Sequence, residues 1–567
     1  MPAAVLVICA GAAMVLVSAC GSSPTAAAAT RVDAIFTAWN RPDSPGCAVG
    51  VSRNGAVIFE RGYGMASLER RVPITTLTVF PLASITKAFT AMSVLLAADR
   101  GVLSLDDDVA KYLPDWSTRE QRVTIRHLIT HTSGLRDAYL LQGWAPHIGN
   151  SQDALIRILT RQRGLNSVPG AEYRYNNGGY VLLGRILERA SGQTLGGFAD
   201  ANVFTPLGMT GAWFNGDPVR TAPDHASGYS PQPNGWRLLP EGSGYGGNAG
   251  MMASVRDLFQ WANNFFEPRV GTPELLTRMQ TATVLTGGES VPHGMGMGIG
   301  SYRGARRFVT SGGDVGTATE LDLYPDLETA IAVLCNMDSV AMGGLATVNP
   351  GELTNAVADV FLEDALEPRP TGAGSAPASA GSAPPAVILS ADELARMTGF
   401  YRVGSEENYI VSTSVREGRF VFRDYYGDNY DIPMTPIGAA RFLIPGATLE
   451  FAPAGAGRSQ AWHVIDGSGR RLLELPLMKF EVPAADLPAF AGDYRSDDLD
   501  VTYTVTVRDA GLVLQSSRLH PVFQDAFVGD YMGTVRFARD AKGSVTGFTL
   551  NRNSARGVRF DRLKRSR

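Results

Sequence analysis

Ser84-Ile85-Thr86-Lys87 is the stretch of this chain with the clearest capacity for chemistry. On a helix, that spacing brings an ammonium and a hydroxyl to one face. Burial that lowers the lysine pKa would let the amine take the hydroxyl proton and make Ser84 a nucleophile. A serine at a helix start also has free backbone N–H groups nearby and the positive end of the dipole beneath it. Lysine is scarce: of 51 basic residues only Lys87, Lys111, Lys479, Lys542 and Lys564 are lysines. Arginine holds its proton at any ordinary pH, so a lysine kept beside a serine carries more information than a charge alone. By itself S-x-x-K is short enough to arise by chance.

The second chemical element is Tyr175-Asn176-Asn177, preceded by Pro169-Gly170 and followed by Gly178-Gly179 and an apolar helical run from Tyr180 to Ala190. In an extended segment, residues two apart share a side, so Tyr175 and Asn177 would face one cleft. A phenol can relay a proton, and a carboxamide can both donate to and accept from a substrate amide. Without Ser84 and Lys87, the same residues read as a loop aromatic and an asparagine in a glycine-rich turn.

Other candidates are weaker. His127 and His131 are four apart, but no glutamate follows the first and no third ligand is evident, so both read as structural and no metal is expected. There is no G-x-S-x-G, which excludes the α/β-hydrolase elbow. Cys9, Cys20, Cys47 and Cys335 form no zinc-like cluster, and no cofactor is indicated. A net charge of -4 offers no basic field for a phosphate backbone, so nucleic acid is not an expected partner.

These residues need a scaffold, and 567 residues allow several domains. Cys47 to Val51 and Ala56 to Glu60 are apolar runs joined by Asn54-Gly55, a two-residue hairpin signal. A helical pattern runs from Leu82 through Ala98. Phe308 to Ser311, Thr319 to Tyr324 and Thr329 to Cys335 are strand-like, with a turn at Tyr324-Pro325-Asp326. Strands therefore flank a mostly helical middle over residues 34–366. Residues 367–386 are a Pro/Ala/Gly/Ser linker. Beyond it the text is duplicated: LARMTGFY from Leu394 returns as LPAFAGDY from Leu487. Two all-β units, 387–482 and 483–567, small barrels or meanders, are expected.

Over Ala34 to Leu366 the chain resembles the penicillin-recognising serine hydrolases, in the branch of class C β-lactamases, D-aminopeptidases and carboxylesterases. The matching text is PLASITKAFTAM around Ser84, IRHLITHTSGL from Ile125, VPGAEYRYNNGGYVLLGRILERASG from Val168, FTPLGMT from Phe204 and GMMASVRDLFQW from Gly250. The resemblance implies an α+β fold, an antiparallel five-stranded sheet flanked by helices with a helical subdomain, followed by the two barrel-like units. It implies Ser84 as the acylated nucleophile, Lys87 and Tyr175 as proton-transfer partners, and Asn177 as substrate anchor. The family's third motif, Lys-Thr-Gly or His-x-Gly, aligns with Ser311-Gly312-Gly313, implied to bind substrate. The backbone N–H groups of Ser84 and Asp314 would form the oxyanion hole. Serine in place of a cationic residue weakens carboxylate recognition and favours esters or neutral amides over penicillins; alternatively, Ser311 merely occupies a glycine-rich turn. The family sheet also places the strand from Cys47 beside the strand ending at Cys335, which implies a disulfide.

Residues 1–20 are apolar and end Val17-Ser18-Ala19-Cys20, similar to a bacterial lipobox with Cys20 as lipidation site, although no Lys or Arg precedes the run. A cleaved signal peptide or a single anchor are the alternatives; all place the protein outside the cytoplasm. Residues 21–33 would tether the body to a membrane, as a periplasmic or cell-surface lipoprotein. The expected function is an exported esterase or D-amino-acid amidase or peptidase, in preference to a β-lactamase, acting on a small-molecule or peptide substrate. The competing reading is a surface lipoprotein that binds peptidoglycan fragments or a small ligand without turnover.

Overall fold

Asn54 and Gly55 both take positive φ, 50° and 74°, the backbone twist a two-residue hairpin needs. They join β1 (Cys47–Arg53) to β2 (Ala56–Tyr63). The computed structural model describes residues 24–116, 121–149, 151–215, 225–232, 234–239, 246–338, 348–368, 387–404, 409–416, 418–425, 431–444, 447–454, 460–465 and 469–564. The apolar N-terminal run with Cys20 and most of the linker lie outside the described residues. The tether expected over 21–33 is corrected in part: α1 spans Pro24–Phe36. Val32 and Phe36, four apart on one helix face, are fully buried against the sheet, and Phe36 stacks on Tyr63 at 4.8 Å.

The helical region begins with α2 (Thr86–Asp99), preceded by a 3-10 turn over Ala83–Ile85. From Thr86 to Ala97 every residue of α2 is buried, as befits a central helix that is apolar on all sides. Against it packs α6 (Asn177–Ser191), and α3 (Ile125–Ile129), α4 (Ala138–Trp144) and α5 (Gln152–Arg161) pack on α6. Thr124 and His127 close a reciprocal capping box on α3, which gives His127 the structural role its spacing suggests.

After the helices come β3 (Gly298–Tyr302), β4 (Ala305–Asp314), β5 (Thr317–Tyr324) and β6 (Thr329–Cys335), then α7 (Pro350–Phe361). The antiparallel sheet runs β3-β4-β5-β6-β1-β2, six strands where five were expected. The additional edge strand, β3, contains Gly298 and Gly300, which dilute its apolar alternation; it pairs with β4 across a turn at Arg303 and Gly304. Helices α1 and α7 cover one face of the sheet and the α2 layer the other. Cys47 and Cys335 are direct partners in the β1–β6 register, Cα atoms 4.0 Å apart, and form a disulfide.

The C-terminal half is all-β. Strands from Gly399–Arg402 to Arg471–Met478 make a nine-stranded sheet, and strands from Gly492–Ser496 to Ala555–Arg562 a closed eight-stranded barrel. The repeated motif does the same work in both. The hydroxyls of Tyr401 and Tyr494, each fully buried, donate to the carbonyls of Met397 and Phe490 four residues upstream. The barrel core is continuous with that of the helical layer.

Candidate active site

Ser84 sits in the 3-10 turn that leads into α2, one residue after Ala83, whose φ of 47° is rare for a residue with a side chain. The turn rests on β4 at Gly312. A Cβ built there would lie 2.1 Å from the Leu82 carbonyl oxygen and 3.1 Å from the Ser84 nitrogen, so only glycine lets the strand approach the nucleophile this closely. Thr319 of β5 fastens the same turn, its hydroxyl donating to the Leu82 carbonyl at 3.0 Å.

At the second position of α2, one turn after Ser84, Lys87 is 3 % exposed. Its Nζ lies 2.8 Å from Ser84 Oγ and donates to the backbone carbonyl of Asn248 at 2.8 Å. Burial in this low-dielectric setting brings the amine down from 10.5 to about 7; the carboxylates of Asp137 and Asp314 oppose the shift. The rings of Tyr175 and Tyr180 lie 4.8 and 5.9 Å from Nζ, and supply apolar walls with a weakly negative face.

Tyr175 donates its hydroxyl to Ser84 Oγ at 2.7 Å. The residue as a whole is 42 % exposed along the cleft, but its hydroxyl end is the inner end, and loss of water there pushes the phenol well above its ordinary value; the bond to Ser84 partly opposes this. Tyr175 therefore stays protonated at neutral pH. Because Tyr175 already donates to Oγ, a neutral Lys87 leaves the Ser84 proton directed at the amine lone pair, the arrangement a general base requires.

The motif residues after Tyr175 divide their tasks. Asn176 is the N-cap of α6: its Oδ1 accepts from Gly179 N–H at 2.8 Å, and its Nδ2 donates to the Leu135 carbonyl at 2.8 Å. Asn177 is the first residue of α6, and its backbone N–H donates to Asp137. Gly178 packs closely, and a Cβ there would meet the tip of the Leu159 side chain at 2.9 Å. In the third motif, Ser311 is exposed and pairs with Glu320, whose carboxylate lies against Gly351 of α7. Side chains alternate along a strand, so Gly312 and Asp314, not Ser311, present the face of β4 turned to the nucleophile.

Three participants carry no sequence signal strong enough to be found beforehand. Asn248 contributes a carbonyl, which every residue possesses. Asp137 is the N-cap of α4; it is buried, accepts backbone N–H bonds, and desolvation raises its pKa while Leu140, Tyr139, Asn177 and Lys87 hold it down. His131, expected to be structural, lies beneath the site with its ring 4.6 Å from that of Tyr175. Its Nδ1 accepts the Asn176 N–H at 3.1 Å, and burial keeps it neutral. Among the described residues no three His, Cys, Asp or Glu side chains group as a metal site would need.

Comparison with known proteins agrees with this geometry. Residues 32–346 match the family described as Beta-lactamase. A D-aminopeptidase of Brucella canis is 26% identical over 559 residues, 92% of this chain and 96% of its own length. A D-aminopeptidase of Gluconobacter oxydans is 33% identical over 45% of this chain and 48% of its own. Esterase EstB of Burkholderia gladioli is 35% identical over 39% of this chain and 62% of its own. The chain thus spans less than two thirds of these last two relatives. Among solved structures, the octameric penicillin-binding protein homologue from Pyrococcus abyssi aligns with 80% of this chain and 98% of its own, at a TM-score of 0.52 and 22% identity, which supports the fold.

Proposed function

Since the chain belongs to the Beta-lactamase family, we propose that it is a serine hydrolase working through a Ser84 acyl-enzyme, with an ester or amide as substrate in preference to a β-lactam. The observation that carries this reading is the convergence of Lys87 Nζ and the Tyr175 hydroxyl on one oxygen, at 2.8 and 2.7 Å. Neutral Lys87 takes the Ser84 proton as Oγ bonds to the substrate carbonyl carbon. The carbonyl oxygen becomes an oxyanion that the backbone N–H of Ser84 receives; the N–H of Asp314, expected as the second donor, is taken by Thr317 in the β4–β5 ladder. As the tetrahedral adduct collapses, the bond to the leaving alkoxide or amine breaks; Tyr175 protonates that group and is reprotonated from Lys87. Water, deprotonated by the same pair, then cleaves the acyl-enzyme and restores Ser84. The activities of the relatives, D-aminopeptidase and esterase, support the substrate class.

The same reading includes export through residues 1–20 and lipid attachment at Cys20; a palmitate label lost in Cys20→Ala tests it. For the chemistry, a fluorophosphonate should label the purified protein and fail to label Ser84→Ala. The variant should also lose turnover of p-nitrophenyl esters and D-alanyl amides. Full turnover without Ser84 would overturn the assignment.

A further inference from the structure

Glu320 and Asp322 put two carboxyl groups in front of one cation inside the protein. Glu320 is 6 % exposed and Asp322 is fully buried. They alternate along β5 with Thr319 and Leu321, so both face α7 while Thr319 reaches the nucleophile turn on the opposite side. From β4, Arg307 donates through Nη1 to Asp322 Oδ2 at 2.9 Å and to Asn355 Oδ1 of α7 at 2.8 Å. The Tyr302 ring of β3 lies 5.5 Å from that guanidinium. β6 opposes the pair with Val333 and Ile331, which carry no charge. On β5 itself, burial and the neighbouring Asp322 keep the Tyr324 phenol protonated.

Helix α7 adds no compensating cation. A Cβ at Gly351 would lie 3.1 Å from Glu320 Oε1, so this carboxyl sits under the first turn, but Asn349 Oδ1 already accepts the Gly351 and Glu352 N–H groups. The Thr354 hydroxyl has one proton for three acceptors, the Gly351 carbonyl at 3.1 Å and the two carboxyl groups. One turn beyond Asn355, Arg303 is paired with Asp359. Among the described residues, Arg307 is therefore the one cation that faces the pair. If both acids ionised, a whole negative charge would stay buried, a state that a buried acid avoids by keeping its proton. Burial and the charge of Asp322 push Glu320 well above the ordinary carboxylate range; burial raises Asp322 less, because Arg307 holds it.

We propose that Glu320 and Asp322 hold one proton between them and make the seat of α7 an alkaline-sensitive catch. While the proton stays, α7 rests on the sheet. Once it leaves, two carboxylates compete for Arg307 and α7 lifts from β5, the strand whose Thr319 fastens the Leu82 carbonyl beside Ser84. The catch itself stands apart from the hydrolase reading; its effect on turnover rests on that reading.

The test uses the full chain, with urea unfolding of wild type and Glu320→Gln compared at each pH so that the contribution of Lys87 cancels. Folded wild type keeps a proton that the unfolded chain loses. The folded-to-unfolded ratio of the variant should therefore gain on wild type about ten-fold per pH unit above about pH 5, until the folded pair ionises. Asp322→Asn gives Glu320 the guanidinium to itself, and adding Glu320→Gln to that background should produce no growing gain. A gain that does not change with pH overturns the retained proton, and equal growth in both backgrounds overturns the sharing. At alkaline pH the amides of α7 should exchange at least ten-fold faster in wild type than in Glu320→Gln, with β1 alike in the two. Equal exchange of α7 overturns its release. Ester turnover of wild type should fall reversibly beyond the plateau set by Lys87, a region in which Tyr175 is still protonated, while Glu320→Gln holds the plateau. A fall common to both overturns the link to the nucleophile. No turnover at any pH, with the unfolding results as expected, refutes the hydrolase reading and leaves the catch supported.

Discussion

A lysine that is fully buried to serve as a base is a stability liability with a defined sign. In the folded protein Lys87 titrates at about 7 instead of 10.5, so between those values the unfolded chain holds the extra proton. Stability from this group accordingly rises with pH through that window, and below about 7 its destabilisation is complete. The same titration governs activity in the same direction: kcat/KM for a neutral ester should climb as pH passes about 7 and then level. Lys87→Met keeps the stem and removes the charge. It should lower kcat by about 10²- to 10⁴-fold while raising the unfolding free energy at pH 6 by an amount on the order of a few kcal/mol. Stopped ester hydrolysis and thermal unfolding across pH check both halves, and a variant that keeps activity or loses stability contradicts the account. Ser84 and Lys87 were legible in the sequence because their role depends on residue type and on a spacing that a helix converts to contact. Asn248 was not, since its contribution to Lys87 is a main-chain carbonyl. His131 holds the structural role expected of it, but its packing against Tyr175 was not legible, because no periodicity encodes the contact between the two rings.

At the scale of elements, the site depends on how near one strand comes to one turn. Gly312 is where β4 touches Leu82 and Ser84, and any Cβ there must push the Leu82 carbonyl aside. Gly312→Ala should therefore displace the nucleophile relative to Lys87 and Tyr175. A shift on the ångström scale costs about 10²-fold in rate, and overpacking destabilises by about 1–3 kcal/mol. The check is kcat together with fluorophosphonate labelling rate, both of which should drop while the folded protein remains soluble; an unaltered labelling rate would contradict it. The glycine pair in Ser311-Gly312-Gly313 was visible beforehand as a motif, but its assignment to substrate binding missed this packing role. Hairpin β1–β2, strands β4 to β6 and helix α2 could be read from turn chemistry and apolar runs. Strand β3 could not, because Gly298 and Gly300 remove the alternation that marks a strand. Helix α1 was hidden by its alanine-rich sequence, whose burial is decided by Val32 and Phe36 meeting a distant sheet.

Across the whole molecule, the barrel is tied to the helical layer directly behind the site. Arg136, with 4% of its side chain exposed, bridges Asp498 and Gln162 through Nη1, each at 2.8 Å. It also donates to the carbonyls of Arg556 and Gly557, both at 2.9 Å. The next residue, Asp137, donates its N–H to the barrel carbonyl of Ser554 at 2.7 Å, and its carboxylate is one of the two that act on Lys87. The duplicated tyrosine motif made two β units predictable, yet nothing in the sequence paired Arg136 with a residue 362 positions away. Arg136→Ala leaves the partly buried Asp498 without its cation and removes three further bonds to the barrel and to Gln162, a loss on the order of a few kcal/mol, and loosens the segment that carries Asp137. The expected result is a lower unfolding temperature, faster proteolytic nicking between catalytic layer and barrel, and reduced kcat. Adding Asp498→Asn removes the stranded charge, so the double variant should recover stability relative to Arg136→Ala alone. Its kcat should recover less, because the bonds from Arg136 to the barrel carbonyls are still missing. If Arg136→Ala left both kcat and unfolding temperature at wild-type values, the barrel would be a passenger and not part of the frame that positions Asp137 beside Lys87.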